Sequence, residues 1–309
     1  MTHHTTRLKG KVAVITGAGR GIGAAEAILF AQEGAKVVVN DLGGGGDGSG
    51  ASKSPADEVV EQIKKMGGEA VSNYDSVSTT EGGERIIKTA VDAFGRLDIL
   101  VNNAGILRDR MVYNMTPEEW DIVMKVHLYG TFNCTKPACA LFRQQKSGRI
   151  INTASESGLG NMGQANYSAA KEGIVGFTRT VARDMGRYGV TCNAVRPRAK
   201  SRLTISPELV AAIEKAKATG TSLPPGADVI MKLPEPNEMI AFVAYLATDA
   251  AANINGCTFL ISGDQISLYQ DPIPIRTIYT KGFWTLDDLL EIVPNTLAAG
   301  LINPAPPKQ

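Results

Sequence analysis

Apolar and polar positions along this chain follow two alternating patterns. Short β-branched runs such as KVAVIT at 11–16 and AKVVVN at 35–40 predict buried strands. Longer segments with helical character separate these runs, and this alternation predicts a parallel sheet with crossover helices. Strands are predicted at 11–16, 35–40, 69–74, 97–102, 148–155, 190–195 and 257–262. Helices are predicted at 21–33, from Pro55 onward, and at 80–94, 116–145, 164–186, 207–218 and 234–248.

The expected fold is α/β: a single Rossmann-type, doubly wound parallel sheet with helices on both faces, plus a C-terminal extension. Residues 1–264 form one domain in this prediction, because no linker or internal repeat interrupts them. A Gly/Ser-rich stretch at 42–54 predicts a loop with little structure of its own. Residues 265–309 are proline-rich and too few for an independent domain, with a strand predicted at 276–280 and a helix at 285–292.

Composition narrows the classes of function. The 309 residues carry a formal net charge of +1, which gives no sign of a nucleic-acid or membrane-surface partner. The four cysteines form no CxxC pair, so we expect reduced thiols with neither a metal site nor a disulfide framework. The chain has no apolar run of the ~18–20 residues that span a bilayer. Its first residues lack the apolar core of a signal peptide, and we expect a cytoplasmic location.

The first candidate binding feature is the glycine-rich turn TGAGRGIG at 16–23, between a predicted strand and a predicted helix. Small residues at Gly17, Gly21 and Gly23 let backbone N–H groups approach a pyrophosphate, whose charge the helix N-terminus favours. Arg20 and Ile22 fill the remaining positions of the turn. A tight strand–helix turn without a ligand is the alternative, because short motifs recur by chance.

An acidic residue at the end of the second strand makes dinucleotide binding the better interpretation. Asp41 ends VVVND, at about the ~20-residue distance from which a carboxylate reaches the adenosine ribose. Such a carboxylate accepts bonds from the ribose hydroxyls and repels a 2′-phosphate, which predicts NAD rather than NADP. Arg20 is a competing signal, since a cation in the turn could meet a 2′-phosphate. The alternative for Asp41 is a solvated carboxylate at a strand end.

The candidate chemistry lies in NYSAAK, which places Tyr167 and Lys171 on one face of a predicted helix. A neighbouring ammonium group favours the phenolate and lowers the phenol pKa from about 10, as proton transfer with an alcohol requires. Ser155 ends the strand before this helix and could donate a hydrogen bond to the substrate oxygen. The alternatives are a surface Tyr–Lys pair and a serine that caps its own backbone.

With these residues in view, the chain resembles the short-chain dehydrogenase/reductase family over roughly residues 8–263. The resemblance rests on an ordered series of motifs. These are TGAGRGIG (16–23), Asp41, YDS (74–76), NNAG (102–105), Ser155, YSAAK (167–171) and RP (196–197).

The resemblance implies roles for the matching positions. Ser155, Tyr167 and Lys171 would be catalytic, with Lys171 also holding the nicotinamide ribose. Homodimers or homotetramers are implied, joined through the helices at 116–145 and 164–186. The implied cofactor-binding residues, beyond Asp41, Tyr167, Lys171 and the turn, are Asp75 at the adenine, Ser76, Asn103, Ala104, Gly105, Pro197 and Thr204.

A narrower similarity links the chain to the (3R)-hydroxyacyl-CoA dehydrogenase units of peroxisomal multifunctional enzymes and to their bacterial stand-alone relatives. NNAGILRDR (102–110) and GQANYSAAK (163–171) carry it. It implies NAD-dependent oxidation of a (3R)-hydroxyacyl-CoA to a 3-ketoacyl-CoA, in fatty-acid or steroid side-chain β-oxidation. A hydroxysteroid or general ketone dehydrogenase is the alternative. A non-catalytic scaffold subunit is a third, which the intact serine, tyrosine and lysine argue against.

The chain departs from the family pattern at two places in this region. His127 stands where many members carry an asparagine that supports a proton-relay water, and it either joins such a relay or is a packed core histidine. Arg198 follows Pro197 where glycine is usual, and it either crowds the nicotinamide or points to a substrate phosphate. CoA phosphates would need cations near the pocket mouth. The candidates, which could equally be solvated charges on loops, are Arg108, Arg110, Arg198, Lys200 and Arg202.

Overall fold

Eight strands form one sheet in the computed structural model, which describes residues 6–200, 207–223 and 227–305. The sheet order is β3-β2-β1-β4-β5-β6-β7-β8, and only the β7–β8 pair is antiparallel. The strands are β1 Val12–Thr16, β2 Lys36–Asn40, β3 Ala70–Asn73, β4 Ile99–Asn102, β5 Gly148–Thr153, β6 Val190–Pro197, β7 Thr258–Ser262 and β8 Gln265–Leu268.

Helices connect the parallel strands as the alternating pattern predicts, which confirms the α/β fold. They are α1 Gly21–Gln32, α2 Ser54–Lys65, α3 Thr80–Phe94, α4 Pro117–Met124, α5 Gly130–Gln145, α6 Ala165–Met185, α7 Pro207–Thr219, α8 Ala227–Met231, α9 Ala241–Leu246 and α10 Leu286–Ile292. No helix of the described residues is long and apolar enough to cross a membrane.

Each face of the sheet carries its own core. Ala13 and Ile15 of β1 pack with Phe30 of α1 on one face, whereas Val12 and Val14 belong to the cluster on the other. Alternate residues of a strand point to opposite faces, and both faces of this strand are covered by helices. This explains why the strands read as continuous apolar runs rather than as an alternating pattern.

The sheet reverses its winding between β1 and β4. The chain proceeds outward through β2 and β3 on one side, and through β5 to β7 on the other. The loops after β1 and β4 therefore diverge and leave a crevice at the carboxyl ends of these strands. Ligands of open α/β sheets bind at this topological switch point.

Three local features differ from the sequence expectations. The predicted helix 116–145 is interrupted by a π-helical turn at Lys125–Tyr129. An edge strand, β8, forms directly after β7, whereas residues 276–280 contain no strand. The loop 42–54 is tied by backbone bonds from the Ser52 N–H to the Leu42 carbonyl and from the Leu107 N–H to the Gly46 carbonyl.

The described chain divides into two compact units, Met1–Tyr269 and Gln270–Gln309. The first contains the whole sheet, so it extends five residues beyond position 264, because β8 pairs with β7. The second contains α10, which begins with Thr285 accepting the Asp288 N–H in a capping box.

Candidate active site

Two cavities lie side by side in the crevice at the switch point. One measures about 350 Å³ and the other about 410 Å³, and Ile22, Asn103 and Gly105 line both. The crevice thus forms one elongated cleft with two halves. The first half is lined by Gly17, Arg20, Gly21, Ile22, Asp41, Asp75, Ser76, Asn103, Ala104 and Gly105. The second is lined by His127, Ser155, Tyr167, Lys171 and Pro197, among others.

The glycine turn is built for close approach of the backbone. Gly17 has a φ of +65°, and a Cβ at this position would lie 2.7 Å from the Ala104 Cα. Asn103 braces the turn, with its Nδ2 donating to the carbonyls of Thr16 (3.0 Å) and Gly17 (3.1 Å). Gly23 lies one step deeper, where a Cβ would meet the Gly17 carbonyl at 2.4 Å. The Gly17 cradle and the N-terminus of α1 fit a pyrophosphate group.

Asp41 lies at the wall of the first cavity and is bound to the turn. Its Oδ2 accepts the Gly19 N–H at 2.8 Å and its Oδ1 accepts the Gly43 N–H at 2.6 Å. The carboxylate is therefore held in place at the position expected for a ribose contact. Arg20 lines the same cavity, and its guanidinium donates to the Gly44 carbonyl at 3.4 Å.

The other residues expected at the adenine end also line the first cavity. Asp75 accepts the Arg85 Nε at 2.6 Å and the Asn73 Nδ2 at 2.9 Å, so both of its oxygens are engaged. Ser76 shares a hydrogen bond with the Ser78 hydroxyl at 2.8 Å.

Ser155, Tyr167 and Lys171 meet in the second cavity. The Lys171 Nζ lies 5.5 Å from the centre of the Tyr167 ring, and it donates to the Thr153 carbonyl at the end of β5. The Ser155 Oγ accepts the Ser157 N–H at 3.2 Å, which leaves the hydroxyl proton to be donated elsewhere. Burial is the largest influence on the pKa of the Tyr167 phenol, and the nearby Ser155 side chain opposes it by lowering this pKa.

Burial nevertheless dominates the ionisation of this pair. It raises the pKa of Tyr167 to about 12 and lowers the pKa of Lys171 to about 7. The expectation of a lowered phenol pKa is therefore wrong. Desolvation disfavours the charged form of both groups, since Lys171 is only 3% exposed and Tyr167 is partly buried beside it.

His127 lies on the π-helical turn, and it packs against Tyr167. The two rings meet edge to face, with their centres 5.0 Å apart. The His127 Nε2 contacts the Ile106 carbonyl at 2.8 Å, and Nδ1 is buried without a hydrogen-bond partner in the described chain. Burial lowers the pKa of His127 to about 3, so the ring is neutral. A Cβ on Gly105 would lie 2.5 Å from the imidazole, so glycine is needed beside this ring.

Four of the five cations considered for CoA phosphates form ion pairs. Arg198, which follows Pro197 in the chain, lines the second cavity and forms an ion pair with Glu156. Arg202 and Thr204 lie outside the described residues. The remaining pairs are Arg108–Asp47 at 3.6 Å, Arg110–Glu119 at 2.8 Å and Lys200–Glu235 at 2.9 Å.

The structure adds polar residues to which the sequence analysis assigns no role of their own. The Gln164 Nε2 donates to Asp109 at 2.7 Å, and both side chains line the second cavity. Arg196, near the end of β6, donates to the Ser155 carbonyl. The sequence signals for Arg196 are its place in the RP motif at 196–197 and its position near the end of a buried strand. The described residues contain no cluster of acidic, histidine or cysteine side chains that could hold a metal ion.

Comparison with known proteins agrees with this arrangement. The family described as short chain dehydrogenase matches residues 11–201. Hydroxyacyl-CoA dehydrogenase ChsB1 from Mycobacterium tuberculosis is 41% identical over 294 residues, which cover 91% of this chain and 86% of that protein. A short chain dehydrogenase crystal structure from Mycobacterium avium superimposes with a TM-score of 0.79 at 39% identity, covering 94% of this chain and 96% of that one.

A longer relative matches over part of its length. The peroxisomal hydratase-dehydrogenase-epimerase of Neurospora crassa is 45% identical over 262 residues, which cover 84% of this chain. The same region is 27% of that protein, so the chain spans about a quarter of this multifunctional relative.

Proposed function

Because this chain belongs to the short-chain dehydrogenase family, whose members are oxidoreductases acting on CH–OH groups, we propose that it oxidises a (3R)-hydroxyacyl-CoA to the 3-ketoacyl-CoA with NAD. The observation that carries the proposal is the meeting of Ser155, Tyr167 and Lys171 beside a dinucleotide-sized cleft. Family members generally bind a nicotinamide cofactor, and the Gly17 cradle fits its pyrophosphate.

Asp41 supports NAD as the cofactor. Its carboxylate is fixed at the wall of the adenosine half by two backbone N–H groups, and each oxygen keeps a lone pair for a ribose hydroxyl. A 2′-phosphate would bring a second negative charge next to this carboxylate. Arg20 is the residue that would favour NADP, but its guanidinium contacts the Gly44 carbonyl.

The proton chemistry falls to the three side chains of the second cavity. NAD, when bound, supplies the hydride acceptor. Tyr167, as the phenolate, would accept the hydroxyl proton of the alcohol as the ketone forms, and would then release that proton to solvent. Ser155 donates a hydrogen bond to the reacting oxygen, and the Lys171 ammonium stabilises the phenolate. Because the phenolate fraction of Tyr167 grows with pH while the Lys171 ammonium is lost above its pKa of about 7, we expect oxidation to speed up with rising pH to about 7 and to level off above it. A relay role for the neutral His127 stays a prediction.

The acyl-CoA substrate is supported by the names of the relatives. The bacterial relative, 86% of whose length the chain covers, is named a hydroxyacyl-CoA dehydrogenase. Exposed ion pairs near the cleft contribute little energy, so a phosphate can compete for Arg108 or Arg198.

The test measures NADH formation from (3R)-hydroxyacyl-CoA thioesters of increasing chain length. The (3S) isomers and a free 17β-hydroxysteroid are assayed separately as alternative substrates. We expect turnover of the (3R) thioesters with NAD at a higher kcat/KM than with NADP. Better turnover of the free steroid would replace the acyl-CoA substrate with the steroid, and tighter binding of NADP would overturn the interpretation of Asp41.

We also propose a homodimer or homotetramer that assembles through α5 and α6. Tyr129, at the end of the π-helical turn, is 58% exposed, and Phe132 of α5 is 45% exposed and packs edge to face on Phe177 of α6. Aromatic side chains are enriched in protein interfaces. Light scattering measures the mass in solution, and a monomer at micromolar concentration would contradict this assembly.

A further inference from the structure

Arg196 is an unusual residue for its place in the fold. It is the penultimate residue of β6, paired with Leu260 of β7, and only 2% of its surface is exposed. Burial of a guanidinium group is costly unless its donors find partners. The partners of Arg196 therefore show what keeps it there.

These partners belong to the segment that carries Ser155 and to the helix that carries Lys171. One terminal nitrogen of Arg196 donates to the Ser155 carbonyl, and the other donates to Glu172 Oε2 at 2.7 Å. The Ser155 segment passes closely over the guanidinium, because a Cβ on Gly158 would lie 3.0 Å from it. A single planar cation thus bridges the backbone of Ser155 and the first turns of α6.

A second tether holds the same segment from the side of β8. The Tyr269 ring covers the Arg196 guanidinium, whose central carbon lies 4.9 Å from the ring centre. The Tyr269 hydroxyl donates to Glu156 at 3.3 Å. Glu156 also pairs with Arg198. The residue that follows Ser155 is therefore anchored to the edge of the sheet.

Stabilisation of the fold alone explains this arrangement poorly. The Arg196 Nε is buried and has no hydrogen-bond partner among the residues described, and Glu172 keeps 42% of its side chain exposed. Buried ion pairs with unsatisfied donors add little to stability compared with apolar residues of the same size. What the guanidinium fork provides is a fixed distance between two acceptors, which a lysine ammonium cannot reproduce.

We propose that Arg196 is a positioning residue, which fixes the Ser155 backbone so that its hydroxyl faces Tyr167 and the reacting oxygen. The inference rests on the proposed function, in which Ser155 donates to that oxygen. Arg196 itself touches neither substrate nor cofactor in this assignment. It acts through Ser155, and the effect of losing it must therefore depend on Ser155.

A double-mutant cycle in the full-length protein tests this dependence. The cycle compares the wild type with Arg196→Met, Ser155→Ala and the double variant. For each protein, kcat and KM are measured with the best (3R)-hydroxyacyl-CoA substrate. The kcat values are expressed per NAD-binding site, which an NAD titration counts. We expect Arg196→Met to lower kcat about tenfold or more with KM and NAD affinity nearly unchanged. In the Ser155→Ala background, Arg196→Met should lower kcat by less than about threefold.

Arg149→Met is the matched control. Arg149 of β5 is also a buried arginine that donates to backbone carbonyls, those of Gly148 and Gly189, but it lies at the opposite end of the sheet. We expect it to lower the melting temperature without changing kcat per NAD-binding site. Equal losses of kcat for Arg196→Met with and without Ser155 would overturn the proposal.

Two further outcomes are informative. If Arg196→Met does not fold, Arg196→Lys provides the same cycle, because lysine keeps the charge but cannot bridge both acceptors. A lysine variant with wild-type kcat would then refute the positioning role. If the wild type turns over no acyl-CoA, the proposed function fails, and the cycle is run on the secondary alcohol that it does oxidise.

Discussion

At the scale of single residues, burial sets the chemistry of the cleft more than proximity does. The sequence spacing of Tyr167 and Lys171 predicts a phenol with a lowered pKa, but desolvation raises the Tyr167 pKa to about 12. The same burial lowers the Lys171 pKa to about 7. Spacing shows which groups meet, whereas the depth of the site decides their protonation.

Removing the Tyr167 hydroxyl tests its proposed role directly. Tyr167→Phe keeps the ring against His127 but leaves no acid or base at the reacting oxygen. We expect kcat to fall by a factor of about 10²–10⁴ with NAD binding retained. Tyr245→Phe, at an aromatic residue of α9, is the control and should leave turnover unchanged. A Tyr167→Phe enzyme with more than a tenth of wild-type kcat would contradict the assignment.

Glu26 gives the stability of the fold a pH dependence that is separate from catalysis. Glu26 of α1 is 1% exposed, its Oε2 has no partner in the described chain, and burial raises its pKa to about 8. The native state therefore holds a proton that the unfolded chain releases near pH 4.5. The resulting stability is present below pH 4.5 and is lost as the pH rises towards 8.

Glu26→Gln removes this titration. We expect the free energy of unfolding of the variant, relative to wild type, to increase between pH 4.5 and 8, since each tenfold change in proton affinity is worth about 1.4 kcal/mol. Urea unfolding at several pH values measures it. Glu84→Gln, at an exposed position of α3, should show no such trend. If the free energy of unfolding of Glu26→Gln differed from that of the wild type by the same amount at every pH, the raised pKa of Glu26 would be refuted.

At the scale of elements, the close approach of α3 and α5 depends on one glycine. A Cβ on Gly83 would lie 2.5 Å from the backbone of Asn133, whose side chain donates to the Val77 carbonyl at 2.9 Å. We expect Gly83→Ala to destabilise the protein by about 1–3 kcal/mol, because the helices must move apart. Glu84→Ala, on the exposed side of α3, should change stability by less than about 0.5 kcal/mol. Calorimetry compares the two, and equal melting temperatures would contradict the packing.

The sequence predicts the existence of elements better than their ends. The 15 residues of α3 lie where the pattern places them, since Thr79 caps its start and Gly95 ends it. The sequence does not predict the break at Lys125–Tyr129, because these five residues include no glycine or proline that would mark an interruption. β8 was missed because its residues are mostly exposed and carry no apolar run.

At the scale of the whole molecule, the sheet and the candidate active site lie in the first unit. Both main core clusters and both cavities lie within Met1–Tyr269. We expect a chain shortened to residues 1–271 to fold and bind NAD, with a melting temperature within about 4 °C of the full chain. Loss of NAD binding in the folded short chain would show that residues 272–309 contribute to the site.

The amino-acid sequence by itself determined the alternation of strands and helices as far as β7, the glycine turn and many, but not all, of the residues that line the cleft. These are local features, because backbone geometry, apolar spacing and short motifs act within a few residues of the chain. Only the tertiary structure decided the state of the Tyr167 phenol, the pairing of Arg198 with Glu156 and the bridge that Arg196 makes to Ser155. Those depend on solvent exclusion and on contacts between residues about 40 positions apart, and such contacts exist only once the sheet has closed around them.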